Sequence, residues 1–401
     1  MRVVIVGGSF GGLAAAYELR THLGHSECEL TLISRDRRFV FIPSLPWVTM
    51  GSKSLDQISF DLEQPLARRE VDFVHASVLR IEPQEQKVIT DGGEYEYDYL
   101  VIATGHRSAN EAVPGLGPFD GPGHSLMSPP EAEEARVALD AFLANPGPMV
   151  VGCAQGASCI GPAYEFVFEV DHLMRKRKIR HKAPIAFVTP EPFLGHLGVG
   201  GVGKVRQFLE GAFEERDIRY YTSAALAEIT ESSVELTDGT IFESQFSLII
   251  PPLAGVPAVA DSPGVANPKG FVPVDEYYRH PQFPNIYAVG VAVALPPVDE
   301  TLVPVNFPKT GHMTEQMAAA AAHNIAVEVH GGERRSQPLV VECILDMGNT
   351  AARIKADPAR PPRNTAVLSE GKRWLWAKRL FEHYYLWQAK RGRTASIGWG
   401  W

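Results

Sequence analysis

The stretch RVVIVGGSFGGLAAAYEL, Arg2 to Leu19, decides the fold of this 401-residue chain. The apolar run RVVIV reads as a buried strand, GGSFGG (Gly7 to Gly12) as a glycine turn, and LAAAYEL as the opening of a helix. Gly7 permits the tight turn and Gly12 lets the helix pack closely on the strand. The helix N-terminus then offers free N–H groups and the positive end of its dipole to a pyrophosphate. Ser9 stands where the middle glycine is usual, beside Phe10, and its Cβ narrows the approach of a phosphate. ELTLIS (Glu29 to Ser34) is the next parallel strand and completes a βαβ unit. The acidic ribose ligand expected at its end is missing, since Ser34 occupies the place. Either Asp36, two residues on, or the Ser34 hydroxyl is left to bind the ribose.

Outward from this unit, residues from about Val71 to Asp98 read as antiparallel hairpins with a turn at Asp91-Gly92-Gly93. YDYLVIATG (Tyr97 to Gly105) is a buried strand ending in a tight turn. A helix at Glu131 to Leu143 leads into a second strand–glycine turn–helix, VVGCAQGASCIGPAYEF (Val150 to Phe166). The strands APIAFVTP and SLIIPP follow. NIYAVGV is a strand before a Pro-rich loop, and an alanine-rich helix runs from Thr310 to about Val329. ATG at Ala103 to Gly105 together with AVG ending at Gly290 is the pattern of flavoproteins with two dinucleotide domains, so FAD is the expected ligand. Val291 stands where many such proteins place an Asp that holds the ribityl chain.

The class expected is α/β: two Rossmann-like dinucleotide-binding domains, tandem and interleaved, plus a small C-terminal membrane-interface domain. Residues 1–110 and 265–335 form the FAD-binding domain, 111–264 the second Rossmann-like domain, and 336–401 the C-terminal segment, with a Pro-rich link at Pro358 to Pro362. A composition of 45% hydrophobic and 21% charged residues is that of a soluble globular protein. No apolar run approaches the roughly 20 residues that span a bilayer, and a strand beginning at the second residue leaves no room for a signal peptide. The net charge of −9 argues against a nucleic-acid partner. It is uneven: Gly371 to Trp401 carries seven basic residues, Lys378 among them, against Glu382 alone. The 4 cysteines, Cys28, Cys153, Cys159 and Cys343, fit no zinc spacing and no disulfide scaffold, so no metal is expected.

Further stretches make the chain resemble the sulfide:quinone oxidoreductase family of flavoproteins. These are VPGLGP (Val113 to Pro118), AQGASCIGPAYEF (Ala154 to Phe166), FVTPEPFLGHLGVGGVG (Phe187 to Gly203), AVGVAVALPPV (Ala288 to Val298), FPKTGHM (Phe307 to Met313), and the PPRN…EGK…K segment near the end. The resemblance implies a redox pair of Cys159 and Cys343 near the flavin, bridged by a disulfide or polysulfide. Hydrosulfide attacks one sulfur; the thiolate released attacks the flavin, with Cys343 the favoured attacker, and two electrons pass by way of FAD to quinone. His196 and Glu165 match family positions suited to proton transfer, with His124 a weaker choice. Lys309 is placed toward the flavin pyrimidine edge or a quinone oxygen, and Phe381 against the quinone ring. A third family cysteine falls where this chain has Met127, which implies non-covalent FAD and a thiol fewer to accept or release sulfur. Cys28 and Cys153 are read as structural.

The tail GKRWLWAKRLFEHYYLWQAKRGRTASIGWGW holds five of the 6 tryptophans, interleaved with Lys and Arg as an interfacial segment requires. The expectation is a peripheral membrane protein on the cytoplasmic face, open to homo-oligomerisation. Three other readings compete. A type II NADH:quinone oxidoreductase would bind NADH at the second glycine turn. A cytochrome-linked sulfide dehydrogenase would need its haem on a partner chain, since no CxxCH is present. A flavoprotein scaffold would have lost its activity.

Overall fold

The structure, a computed structural model, describes residues 1–119 and 121–394. Trp399 and Trp401 lie outside the described residues. The opening apolar run is strand β1 (Arg2–Val6) and the helix after its turn is α1 (Phe10–His22). Then come β2 (Glu29–Ser34), the short helix α2 (Leu45–Thr49), β3 (Asp72–His75) and β4 (Tyr99–Ile102). The middle of the chain forms α3 (Pro129–Ala144), β5 (Met149–Cys153), α4 (Gly161–Lys176), β6 (Ile185–Val188), β7 (Ile218–Tyr221) and β8 (Phe246–Ile250). The last part gives β9 (Ile286–Ala288), α5 (Gly311–His330), β10 (Val341–Asp346), β11 (Ala351–Asp357), β12 (Thr365–Glu370) and α6 (Lys372–Ala389).

Two parallel sheets carry the α/β class. One has the order β9-β4-β1-β2-β3 and the other β7-β6-β5-β8. The runs VVIV, LVI (Leu100 to Ile102) and FSLII are buried without alternation because helices or other layers cover both faces of these strands. α1 and α5 pack along one another. Both are rich in buried alanine (Ala14 to Ala16 and Ala320 to Ala322), and such small side chains let the helix axes approach closely. Thr310 caps α5, its hydroxyl accepting from the Met313 amide.

One expectation is corrected. Asp72–His75 does not enter a hairpin; it pairs in parallel with β2 as the edge of the first sheet, and only residues 78–96 form the antiparallel meander. A run of four residues has too little periodicity to reveal its partner, so the open edge of β2 decided it. The segment Pro358 to Pro362, expected as a Pro-rich link within the C-terminal part, is the turn joining β11 to β12, adjacent strands of the antiparallel sheet β10-β11-β12. From that turn Arg360 donates to the Pro296 and Pro297 carbonyls, and Arg363 donates to the Val199 and Gly201 carbonyls. The turn therefore fastens the loop that carries His196.

Candidate active site

The C-terminal ends of β1, β4 and β9 lie side by side, since Val6 and Ala288 both pair with Ile102. Three glycine turns thus meet at one sheet edge: Gly7 to Gly12, Ala103 to Gly105, and Gly290 with Val291. A Cβ on Gly7 (φ +110°) would lie 2.3 Å from the Ala103 carbonyl oxygen, and one on Gly12 would lie 1.7 Å from that of Gly7. Only glycine allows this turn. Ser9 is the N-cap of α1 but makes no capping bond, and the first turn holds no acidic side chain. The helix therefore presents uncapped N–H groups and an unneutralised dipole. The Thr104 hydroxyl is buried beside it without a partner among the described residues, an orphan of the kind a bound ligand satisfies. Nothing lies within 4 Å of the position a Gly105 Cβ would take. These features fit a dinucleotide.

The other residues expected at this cradle are less free. Ser34 donates its hydroxyl to the Asp36 carbonyl at 2.8 Å, while the exposed Asp36 carboxylate pairs with Arg35. The ring of Phe10 packs with Phe39, Phe41 and Tyr385. Lys309 donates to the Val291 carbonyl at 3.0 Å, and its ammonium sits 3.8 Å from the centre of the Phe271 ring. Burial lowers the Lys309 pKa to about 7. His106, beside it, falls to about 4 through burial and the Lys309 charge.

The second glycine turn is closed by the chain itself. The Gly156 amide donates to the Pro304 carbonyl at 2.6 Å, the Asn306 side chain donates to the Gly156 carbonyl at 2.7 Å, and the Asn306 amide donates to the Ala157 carbonyl at 3.0 Å. Glu191, the acid closest to the place of a ribose ligand, is buried and accepts from Tyr164, Thr189 and the Leu197 amide. This turn resembles the first in sequence, yet its polar groups are already engaged.

What this second turn does carry is Cys159, in the loop ahead of α4, while Cys343 comes from the middle of β10. Both are half-buried free thiols, and Cys343 lies close enough to Cys159 to feel its charge. Burial pushes Cys159 up to about 11 and Cys343 to about 12. Cys28 and Cys153 are fully enclosed in the core.

Beside Cys343 lies a buried polar cluster. Glu165 on α4 pairs with Lys378 on α6. The Lys378 ammonium stands 4.9 Å from the centre of the Trp47 ring, and the Trp47 indole donates to Asp346 at 3.0 Å. Burial raises Glu165 to about 7 against the pull of Lys378. Burial works against the Lys378 charge too, but Glu165, Glu169 and Asp346 keep it protonated. Phe381, one turn beyond Lys378, packs edge-on to Phe41 and Tyr385. His196 is enclosed elsewhere in the fold's loops: its Nε2 lies 3.1 Å from both Asp299 oxygens, and its Nδ1 accepts from the Gly198 amide. His124 faces Glu134 and stacks on Phe246.

Glu165 therefore lies beside Cys343, whereas His196 has Asp299 as its hydrogen-bond partner. Sequence reasoning missed Trp47, Asp346, Asp299 and the inward role of Lys378, which had been counted with the surface charges of the tail. The available signal for Lys378 was its spacing of three from Phe381, which puts both on one face of a helix.

A pyridine nucleotide-disulphide oxidoreductase family model matches residues 1–143, the region that builds the first cradle. The chain is 38% identical over 402 residues to a sulfide-quinone reductase of Aquifex aeolicus, covering 98% of this chain and 92% of that one. A crystal structure of the sulfide:quinone oxidoreductase from the same organism superposes with a TM-score of 0.94, at 37% identity, over 98% of this chain and 92% of that one. A mitochondrial sulfide:quinone oxidoreductase of Dictyostelium discoideum is 25% identical over 74% of this chain and 66% of its own. The fold is thus that of the pyridine nucleotide-disulphide oxidoreductases. Within it, the chain belongs to the sulfide:quinone reductase family.

Proposed function

We propose that this chain oxidises sulfide with a membrane quinone as acceptor, through sulfur carried between Cys159 and Cys343. The carrying observation is the convergence of these two thiols, from α4's leading loop and from β10, beside the Glu165–Lys378 pair. FAD fits the first cradle. Gly7 to Gly12 would hold its pyrophosphate, Thr104 would supply a polar contact, Ser34 or Asp36 would face a ribose, and Lys309 with Val291 would lie at the far turn. When bound, FAD accepts two electrons from the sulfur centre and yields them to quinone. Met127, buried in the place of the third family cysteine, leaves that binding non-covalent.

The protein's own part is sulfur and proton chemistry. Hydrosulfide adds to one sulfur of a Cys159–Cys343 bridge; the S–S bond breaks, leaving a persulfide on one cysteine and a thiolate on the other. Removal of two electrons and a proton joins that thiolate to the persulfide sulfur and lengthens the bridge by one sulfur. Burial disfavours a free thiolate at either cysteine, so the thiolate released when the bridge opens needs a neighbouring positive charge. Lys378, fixed against Cys343, stabilises the thiolate that forms transiently, and Glu165 takes or gives the proton. Phe381 and Lys378 lie on one side of α6 and would border the quinone. This reading uses the expected division: residues 1–110 and 265–335 around FAD, 111–264 carrying Cys159, and 336–401 carrying Cys343 and the quinone side.

Anaerobic titration tests the reading directly. Sulfide is expected to bleach the flavin absorbance of the purified protein, and NADH to leave it unchanged. Bleaching by NADH but not by sulfide would sink it in favour of the NADH reading. That alternative gains nothing from the geometry, because the second turn spends its amide and carbonyls on residues 304–306.

Membrane attachment is assigned to α6. No helix among the described residues is long and apolar enough to cross a membrane. Trp376, Leu380 and Trp387 are exposed at helical spacing, with exposed Arg379 between them and exposed Arg373, Lys390 and Arg391 flanking them, an arrangement suited to an anionic bilayer surface. Trp374, by contrast, is held against Arg353 and Ser369. Replacing Trp376, Leu380 and Trp387 together by alanine is expected to lower partitioning onto anionic vesicles roughly tenfold in a co-sedimentation assay. Sulfide bleaching of the soluble enzyme should be kept. Undiminished binding would place the interface on another surface.

A further inference from the structure

We infer that Glu165, Glu169 and His172 along one face of α4, closed over by Asp346 and the turn after β10, form a proton path from solvent to the reaction site. The inference rests on the sulfide:quinone reading. The three residues stand at positions i, i+4 and i+7 of one helix, so they share a stripe. Glu165, at the inner end, touches Lys378 and lies beside Cys343. Glu169, one turn outward, is 7% exposed and hydrogen-bonds to Asp346. Two carboxyl groups bond to each other only when one carries a proton. No other donor among the described residues reaches Glu169 Oε2, which leaves that oxygen free to hold it. His172, a further turn along, is half-exposed. The turn after β10 lies directly on it: a Cβ at Gly348 would come 2.4 Å from His172 Cβ. The Gly348 amide also donates to Asp346 Oδ1 at 2.8 Å, so the same turn orients the carboxylate that faces Glu169.

The surrounding charges leave this stripe as the inward route. Trp47 donates to Asp346 and covers Lys378, with the Lys53–Glu382 ion pair on its outer side. On β10 the neighbouring acid, Glu342, is tied to Arg353 at 2.7 Å. Three carboxyl groups around one ammonium cannot all be ionised cheaply in a buried space. Burial, with the charges of Glu165 and Asp346, raises Glu169 well above the ordinary carboxyl range and so favours its protonated form.

The reaction needs such a supply. Hydrosulfide entering the bridge yields one sulfur, two electrons and one proton, whereas a quinone takes two electrons and two protons to become a quinol. Each turnover therefore draws one proton from solvent, and it falls on the quinone half. Glu165 delivers it inside, Glu169 with Asp346 reloads Glu165, and His172 collects it outside.

Stopped-flow kinetics on the intact protein, run as separate half-reactions with Glu169→Gln and His172→Gln, test the path. Reduction by sulfide should stay within about twofold of the parent, while reoxidation by a soluble quinone should slow by roughly tenfold or more. Azide or formate should restore the Glu169→Gln rate and imidazole the His172→Gln rate. A readout independent of turnover is infrared absorption: the parent should show the deuterium-sensitive carbonyl band of a buried carboxylic acid, and Glu169→Gln should lose it. Reoxidation at the parental rate, equal slowing of both halves, slowing that small acids do not rescue, or an unchanged infrared spectrum would each overturn the path. If the parent itself is not bleached by sulfide, the sulfide reading fails instead, and the infrared result still stands on its own.

Discussion

Cys343→Ser is expected to abolish reduction of the bound flavin by sulfide, lowering its rate by roughly a thousandfold or more, and Cys159→Ser to do the same. The size follows from the division of labour. The bridge needs two sulfur atoms, and an alcohol can neither hold a persulfide nor leave as a thiolate. Serine is close to isosteric with cysteine, so flavin content and thermal midpoint should change little. The control is Cys28→Ser. Cys28 is buried behind Arg20, whose guanidinium donates to the Cys28 carbonyl, far along the chain from the site, and this variant should bleach like the parent. Rapid-scan spectroscopy under anaerobic sulfide distinguishes the cases. Bleaching that survives in either Cys159→Ser or Cys343→Ser would remove the pair from the reaction.

The second large effect is on stability. Lys378→Met leaves Glu165, Glu169 and Asp346 buried around an uncompensated site, and breaking a buried pair in this way costs about 3–5 kcal/mol. Adding Glu165→Gln to Lys378→Met should recover much of that loss, because the orphaned carboxylate goes with its partner. Denaturant unfolding of the two single variants and the double variant measures the coupling; additive losses would show that the pair is not a unit. The pH dependence has a definite sign. Glu165 titrates at 4.5 as an ordinary carboxyl and at about 7 in the folded chain, so the folded state holds this proton more tightly. Its contribution is fully present below about pH 4.5 and is lost as pH rises through about 7. Glu165→Gln should therefore flatten the stability profile between these two values, and a profile with unchanged slope would place the titration on another group.

Much of this site was legible in the residues. The glycine turn at Gly7 to Gly12 could be read because a tight turn, a close helix contact and an uncapped helix end each demand a particular residue at a particular place. Cys159, Cys343, Glu165 and Phe381 were named from family resemblance, and three of them gather around one buried cluster. The misreadings have local causes. Asp72–His75 is too short to show which strand it will join. Lys378 looks like its neighbours in a basic helix, since a sequence does not show which face of α6 turns inward. His196 sits in a conspicuous loop, but its hydrogen-bond partner, Asp299, lies in a second loop far along the chain.

By itself the sequence determined the α/β class and the strand–glycine turn–helix of the first nucleotide cradle, because these depend on local backbone geometry, while its family resemblance pointed to Cys159 and Cys343. Only the tertiary structure decided that the second glycine turn is shut by Pro304 and Asn306. It also decided that Lys378 is an internal counter-ion and that Glu169 and Asp346 face one another in the same buried cluster. Those properties belong to groups brought together from separate strands and helices, where burial and neighbouring charge, rather than residue type, decide what a side chain can do.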